Sequence, residues 1–350
     1  MLTPFFKTII SVSILGLIFL SLYNITNNDL GARDDIDFMN GISFVAPPDK
    51  LKENPYSSIV DIHADWVAIM PYAFTDENNP EVRFDNAKQW WGEKTVGTIK
   101  SIELARQKNI KILLKPHVWV RGQGWTGDFN LNSDRDWDKW ERSYTSYILN
   151  HARVADSMNV EAFCIGLEFK NVIKLRPQFW HDLIKKVRAS YHGKITYSAN
   201  WDNYQNVTFW DEVDFIGISA YFPLSNKETP SVEDLKTAWK DIRMNLLNLS
   251  KEYQKSIVFT EYGYRSIDKA AWNQWELEHH RRYEGQPNFE VQNNAYQALF
   301  EIFWNEPWFQ GGFLWKWYPD QQKKLNPENS DYTPQKKPVE NIIREWYKKR

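Results

Sequence analysis

The sequence predicts an α/β fold, a (β/α)8 TIM barrel, on three observations. Eight short runs rich in β-branched and aromatic residues recur between residues 41 and 315. Amphipathic stretches with helical spacing separate most of them, so successive strands pair in parallel. The chain has 350 residues, and a barrel of this kind takes about 250 plus insertions. An open doubly wound sheet is the runner-up. It is disfavoured because no glycine-rich phosphate turn follows the first run.

Three regions are expected: 1–23, an N-terminal membrane anchor or signal segment; 24–38, a linker; and 39–350, the barrel domain. Lys7 precedes an apolar run from Thr8 to Tyr23 that includes Ile9, Ile10, Val12, Ile14, Leu15, Leu17, Ile18, Phe19 and Leu20. No clear small-x-small cleavage site follows Leu22, which favours an uncleaved anchor over a cleaved signal. The run is roughly 16 residues, short for a span. With Lys7 inside and Asp29, Asp34 and Asp35 outside, the following domain faces away from the cytoplasm. The expected location is therefore outside the cytoplasm, held by a single N-terminal membrane anchor, or exported to periplasm or medium.

Strands are expected at 41–45, 66–70, 111–115, 162–167, 195–199, 215–219, 257–260 and 312–315. Helices are expected at 95–108 (Val96, Ile99, Ile102, Ala105), 137–158 (Trp140, Tyr144, Tyr147, Ile148, Val154) and 177–191 (Phe179, Leu183, Ile184, Val187). Further helices fit 232–253 (Leu235, Ala238, Ile242, Leu246, Leu249), 291–304 (Ala295, Leu299, Phe303) and 338–347. The connection after the fifth strand is short, near 203–211. Segments 121–136 and 266–289 are long for plain loops, and in a barrel long βα-loops build the functional face. The polar tail 320–337, flanked or broken by Pro319, Pro327 and Pro334, reads as a surface loop. There is no internal repeat.

The net charge of −2 gives no basic surface for nucleic acid. The one cysteine, Cys164, lies in an apolar run, so no intrachain disulfide forms and a buried, inert thiol is expected. His279-His280 with Glu276 and Glu278 lack the His-Glu-x-x-His spacing of a metal site and read as a solvated face. No metal or cofactor is expected, and the expected state is a monomer.

The chemistry concentrates in two strands. Ala162-Phe163-Cys164-Ile165-Gly166-Leu167 runs uncharged into Glu168, and Ser256-Ile257-Val258-Phe259-Thr260 runs into Glu261. These are the fourth and seventh runs. A carboxylate at the C-terminal end of a barrel strand points into the mouth, and burying it is costly unless something uses it. A surface glutamate, or one paired with arginine, is the plain alternative for either residue alone. The matched pair is harder to explain that way. Two carboxyls about 5 Å apart support retaining glycoside hydrolysis, in which one attacks the anomeric carbon and the other protonates the leaving oxygen. The acid needs a raised pKa, from burial or from its negative partner. The 18 Trp and 17 Tyr fit this reading through flat faces that grip sugar rings, and fit an aromatic core equally well.

The strand-four and strand-seven glutamates resemble those of clan A glycoside hydrolases. The fuller pattern resembles glycoside hydrolase family 113, whose members are mainly β-1,4-mannanases. The matching pieces are Gly41-Ile42-Ser43-Phe44, Leu114-Lys115-Pro116-His117, Ile165-Gly166-Leu167-Glu168-Phe169 and Tyr197-Ser198-Ala199-Asn200-Trp201. They continue with Asp214-Phe215-Ile216-Gly217-Ile218-Ser219-Ala220-Tyr221, Phe259-Thr260-Glu261-Tyr262-Gly263-Tyr264 and Gly312-Phe313-Leu314-Trp315-Lys316-Trp317. The resemblance spans residues 39 to 320. It implies Glu168 as acid/base, Glu261 as nucleophile, and cleavage of β-1,4-linked mannan or glucomannan by double displacement. It also implies that Tyr221 holds the nucleophile. Many clan members carry asparagine just before the acid/base, where it binds the sugar 2-hydroxyl. Here that position is Leu167, which fits family 113 and leaves the partner of that hydroxyl open.

The remaining substrate candidates are placed by strand position. Trp315 ends the eighth strand and can floor the sugar site, with Trp317 second. Lys115 and His117 alternate along the third strand and aim the same way. Asn200 and Trp201 end the fifth strand, and Tyr72 lies just past the second. Trp119 and Trp125 are expected in outer subsites. Two other classes stay open. One is a catalytically inactive barrel binding cell-surface polysaccharide, which the presence of both glutamates opposes. The other is a β-glucan-active glycosidase.

Overall fold

The computed structural model describes residues 37–122, 125–277, 285–319, 326 and 328–350. Residues 1–36, with the apolar segment and nearly all of the linker, lie outside the described residues, as do Glu278, His279 and His280. Among the described residues no helix is long and apolar enough to cross a membrane.

Eight parallel strands close into a barrel in the order expected of a (β/α)8 fold. They are β1 (Met39–Phe44), β2 (Trp66–Ile69), β5 (Lys111–Leu114), β7 (Ala162–Leu167), β8 (Lys194–Asn200), β9 (Ile216–Ser219), β10 (Ile257–Tyr262) and β11 (Phe309–Trp317). Every predicted strand is present. Helices α1 (Ser57–Asp61), α2 (Thr95–Arg106), α3 (Asp134–Ser157), α4 (Lys170–Leu175), α5 (Pro177–Arg188), α6 (Val232–Tyr253), α7 (Phe289–Phe303) and α8 (Val339–Tyr347) surround it. Local chemistry fixes several of their starts. Ser133 caps α3 by accepting the Asp136 N–H. Ser231 and Asp234 form a reciprocal capping box on α6, and Asn288 accepts the Val291 N–H at α7. The fifth unit keeps only two 3-10 turns between β8 and β9, Tyr204–Asn206 and Trp210–Glu212, as the short predicted connection requires.

Strand alternation sorts the two sides of the barrel wall. In β8, Ile195, Tyr197 and Ala199 belong to the hydrophobic core. Thr196 and Ser198 alternate with them and are fully buried. The Ser198 hydroxyl lies 3.1 Å from Ser219 Oγ and 2.6 Å from Thr260 Oγ1, so three strands share a hydroxyl layer. The largest fully buried side chains include Trp140, Trp180, Trp210, Trp239, Trp304 and Trp317. Much of the tryptophan content is therefore core.

Two features depart from the sequence reading. A second sheet orders β4 (Asn79–Arg83), β3 (Tyr72–Asp76) and β6 (His117–Val120). Its cause is proline. Pro71 follows β2 and Pro116 follows β5, and neither can donate to the ladder. Both strands leave the barrel there and resume as β3 and β6, paired in parallel with Tyr72 beside His117. The tail is also not a plain surface loop. Within its described part Ser330, Asp331, Thr333, Gln335 and Lys337 are buried. Polarity there reflects internal bonding: Lys337 Nζ donates to Ser266 Oγ (3.1 Å) and to the Asp331 carbonyl (2.7 Å). Arg265 Nε donates to the Ser330 carbonyl (3.0 Å). Burial pulls the Lys337 ammonium down to about 7.

The β1–β11 seam closes the barrel with Met39 opposite Gly311. Gly311 has φ +82°, and a Cβ there would stand 2.3 Å from the Met39 carbonyl oxygen. Gly311→Ala is expected to lower unfolding stability by about 2–3 kcal/mol, from strain and overpacking together. Urea denaturation checks this, and an unchanged midpoint would contradict the seam's tightness.

Candidate active site

Glu261 stands near the end of β10, opposite Ser219 in β9, and is 5 % exposed. A carboxylate so deeply placed needs charge compensation and bonds to both oxygens. Lys115, with no exposed surface, supplies the first. Its Nζ lies 2.5 Å from Glu261 Oε1 and donates also to the Thr260 carbonyl (3.0 Å). The Tyr221 hydroxyl donates to Oε2 at 2.9 Å. Tyr221 lies two residues past the end of β9, and the Ala220 N–H between them is fixed on the Glu261 carbonyl (2.7 Å).

Glu168 caps β7. Its φ of +55° lies in the left-handed region, which non-glycine residues rarely occupy. Neighbouring bonds hold it there. The Glu168 N–H donates to the Ser198 carbonyl (2.9 Å) and the Lys170 N–H to the Glu168 carbonyl (2.8 Å). The Phe169 N–H donates to the Tyr197 hydroxyl (2.8 Å). The carboxyl accepts from Trp125 Nε1 at 2.7 Å. Burial first, and then the charge of Glu261, raise its pKa to about 7. Hydrogen bonds from Ser219 and Trp125 and the cation of Lys115 pull the other way, less strongly. Glu168 thus holds its proton to higher pH than an ordinary carboxyl, beside a carboxylate clamped by lysine and tyrosine. Two carboxyls with environments this unequal are equipped as an acid and a nucleophile.

His117, Tyr72 and Trp315 line the wall on the Glu261 side. The His117 ring lies 5.0 Å from that of Tyr72 and stacks on Trp315 at 6.2 Å and 7°. Burial, with Lys115 second, lowers the His117 pKa well below its usual value, so the ring is neutral at pH 7. Its buried Nε2 has no hydrogen-bond partner in the protein and lies 3.8 Å from Glu261 Oε1. Trp315 is half-buried, and its peptide bond to Lys316 is cis.

The other candidates fall on the Glu168 side or away from the site. Asn200 donates to Asp202 (2.8 Å), and Asp202 pairs with Lys170 (2.6 Å), two residues past Glu168. Trp201 stacks on Trp275. Trp317, by contrast, is 1 % exposed, lies in the hydrophobic core and gives its indole N–H to Ser58 Oγ (3.1 Å). It offers no face to a sugar. The cause is the register shift between β1 and β11, where Ile42 pairs with Leu314 but Phe44 with Trp317, so period-two counting fails past Trp315.

Two contributors escaped the sequence reading and a third was given another place. Trp125, expected in an outer subsite, bonds the acid itself. Ser219 faces Glu168 from the strand preceding Tyr221. Tyr332, from the tail expected at the surface, places its ring 6.2 Å from Tyr221. Only Ser219 had a sequence signal, as the last residue of a predicted strand.

Comparison with known proteins identifies relatives of this fold. Two solved structures of GH113 β-1,4-mannanases are each 27 % identical over 90 % of this chain and 100 % of theirs, with TM-score 0.76. A GH113 β-mannanase from Alicyclobacillus acidocaldarius is 25 % identical over 91 % of this chain and 99 % of its own, with TM-score 0.78. A β-glucuronidase of Ruminococcus gnavus, 11 % identical, shares the fold alone: TM-score 0.61 over 90 % of this chain and 51 % of that one. No curated protein sequence matches the chain. The sequence model of Glycoside Hydrolase Family 113 matches residues 51–337. The chain belongs to glycoside hydrolase family 113.

Proposed function

We propose that the protein cleaves β-1,4-linked mannan or glucomannan with retention of configuration, with Glu261 as nucleophile and Glu168 as acid/base. The observation that carries this reading is the unequal pair: Glu168 is held by the Trp125 indole with its pKa raised by burial, while Glu261 is bonded on both oxygens by Lys115 and Tyr221. In the first displacement a Glu261 oxygen attacks the anomeric carbon as the bond to the leaving oxygen breaks, and Glu168 gives that oxygen its proton. In the second, Glu168 takes a proton from water. The water oxygen then attacks the same carbon, and the ester to Glu261 breaks. Formation of the ester removes the charge that raises the Glu168 pKa, which favours the switch from acid to base. The preference for mannan is supported by the β-mannanase structures that this chain resembles. We also propose that the N-terminal apolar segment holds the enzyme outside the cytoplasm or directs its export. Fractionation of a periplasmic reporter fusion tests this part, and a reporter found in the cytosol would refute it.

Incubated with mannan, glucomannan, cellulose and xylan, the purified protein is expected to release reducing ends from the first two. No release from any of the four would refute the proposal. Glu168→Ala and Glu261→Ala are each expected to lower turnover on unactivated polysaccharide by roughly 10³-fold or more. Azide should partly restore Glu168→Ala on an activated aryl glycoside by replacing water. Near-normal turnover of Glu168→Ala on polysaccharide would remove it from the acid/base role.

The pH profile gives a sharper check. The acid must be protonated, so kcat/KM is expected to fall as pH rises through the Glu168 pKa of about 7. The Trp125 hydrogen bond favours the carboxylate form. Trp125→Phe should therefore raise the Glu168 pKa and move the alkaline limb to higher pH. A limb that stays in place or moves down would separate Trp125 from the acid.

A further inference from the structure

The barrel interior beneath the two carboxyls carries hydroxyls where branched aliphatic side chains are usual. Ser198 on β8, Ser219 on β9 and Thr260 on β10 have no exposed surface. Ser198 Oγ lies 2.6 Å from Thr260 Oγ1 and 3.1 Å from Ser219 Oγ. Ser219 bonds in turn to the Glu168 carboxyl. The three hydroxyls therefore form a single row, from the residue before the nucleophile to the acid. Backbone bonds fix both ends. The Thr260 carbonyl accepts from Lys115 Nζ (3.0 Å), and the Ser198 carbonyl accepts the Glu168 N–H (2.9 Å).

Counting protons gives the row a direction. Each hydroxyl has one proton to donate, and a buried donor left unmade is costly. Among the described residues, Ser198 is the one hydrogen-bond partner of Thr260 Oγ1. The Thr260 proton therefore goes to Ser198, the Ser198 proton to Ser219, and the Ser219 proton to Glu168. Running the row backwards would leave the Thr260 proton with no acceptor. The Trp125 indole N–H, 2.7 Å from Glu168 Oε2, is likewise a donor and cannot accept. Both side chains that bond the Glu168 carboxyl thus donate to it, whether it is ionised or protonated. The proton that Glu168 itself carries finds no acceptor in either and turns towards the cleft, where the leaving oxygen stands.

We propose that Thr260, Ser198 and Ser219 are a one-way row of donors that, with Trp125, aims the Glu168 proton at the leaving oxygen, and that Ser219 is a positioning residue of the acid. The inference rests on the reading of Glu168 as acid/base, and it adds how the proton is kept from turning inward. The same donors meet the carboxylate once the proton has left, so one arrangement serves both displacements. The charged and titratable groups facing Glu168 are Glu261 on β10, Lys115 after β5, Tyr221 after β9 and Tyr197 on β8. Burial holds both tyrosines well above their usual range, so they stay neutral.

Ser219→Ala in the full chain removes the last donor of the row. On glucomannan, whose leaving oxygen needs the proton, kcat/KM is expected to fall about tenfold. On an aryl β-glycoside with a dinitrophenolate leaving group, which departs unprotonated, kcat/KM should hold. A lost donor to the carboxylate raises the acid's pKa, so the alkaline limb on glucomannan should move up by about one pH unit. Ser219→Thr, which keeps the hydroxyl, should restore both readouts. Ser198→Ala should move the limb the same way by less, and should add nothing in the Ser219→Ala background, because it acts through Ser219. Equal losses on the two substrates, a limb that stays in place, or a Ser198→Ala effect that survives without Ser219 would each overturn the proposal. If Ser219→Ala does not fold, Ser198→Ala carries the test, and an unmoved limb there overturns it. Titration of the Glu168 carboxyl by ¹³C NMR of labelled glutamate, assigned by its loss in Glu168→Gln, separates this from the acid/base assignment. A titration that moves up in Ser219→Ala supports the donor row even if Glu168→Ala still cuts polysaccharide. An unmoved titration overturns it even if Glu168→Ala is inactive.

Discussion

The contact between Lys115 and Glu261 is the constraint around which the site is built. Neither side chain has more than a few per cent of its surface exposed, and a charge of either sign left alone there would cost about 3–5 kcal/mol. The lysine therefore has to arrive on a strand that reaches Glu261 across the barrel, and β5 brings it. The same cation acts on its surroundings. It helps keep His117 neutral and partly offsets the pull of Glu261 on Glu168. Below the pair, the shared hydroxyls of Ser198, Ser219 and Thr260 replace the aliphatic filling usual in such barrels. The upper barrel interior can therefore hold charge.

Proline does the second piece of positioning. A barrel strand running straight through residues 66–76 or 111–120 would carry Tyr72 and His117 along the wall. Pro71 and Pro116 end the ladder instead, and the continuing chains pair with each other as β3 and β6. The Tyr147 hydroxyl ties this junction down by sharing its one proton between the carbonyls of Pro71 (2.9 Å) and His117 (3.0 Å). A helix residue thus fixes the start of a strand whose first side chain stacks on Trp315.

Much of this was legible in the sequence because it is local. The strands announce themselves as apolar runs, and Leu167-Glu168 and Thr260-Glu261 mark where such runs meet the mouth. Helix spacing located α3, α5 and α6 closely, and their caps are standard chemistry. What was not legible depends on distant pairing. Trp125 reaches Glu168 across 43 residues of sequence, and nothing in its neighbours marks it. Trp317 goes to the core because β11 slips register against β1. The tail looked solvated because Ser330, Asp331, Gln335 and Lys337 are polar, yet they satisfy Arg265, Ser266 and Tyr318 rather than water. Polarity predicts exposure only where no protein group satisfies the polar atoms.

The same ambiguity divides the tryptophans. Composition could not say whether 18 of them served a core or a site, and the structure assigns them by what their N–H groups and faces meet. Trp317 bonds Ser58 and is sealed. Trp125 spends its N–H on Glu168 and tunes an acid. Trp315 gives one face to His117 and remains half-buried. Trp275 keeps a face open although stacking on Trp201 already satisfies the other. Free indole surface is unfavourable in water by about 25 cal/mol per Å², so folding alone gives no reason to support it with a tier of rings leading back to the core. A ring that is both rigidly backed and outwardly open is therefore not accounted for by the packing of the free protein. That distinction, between aromatics sealed in the fold and aromatics left with an open face, can be drawn only once burial and stacking are known residue by residue.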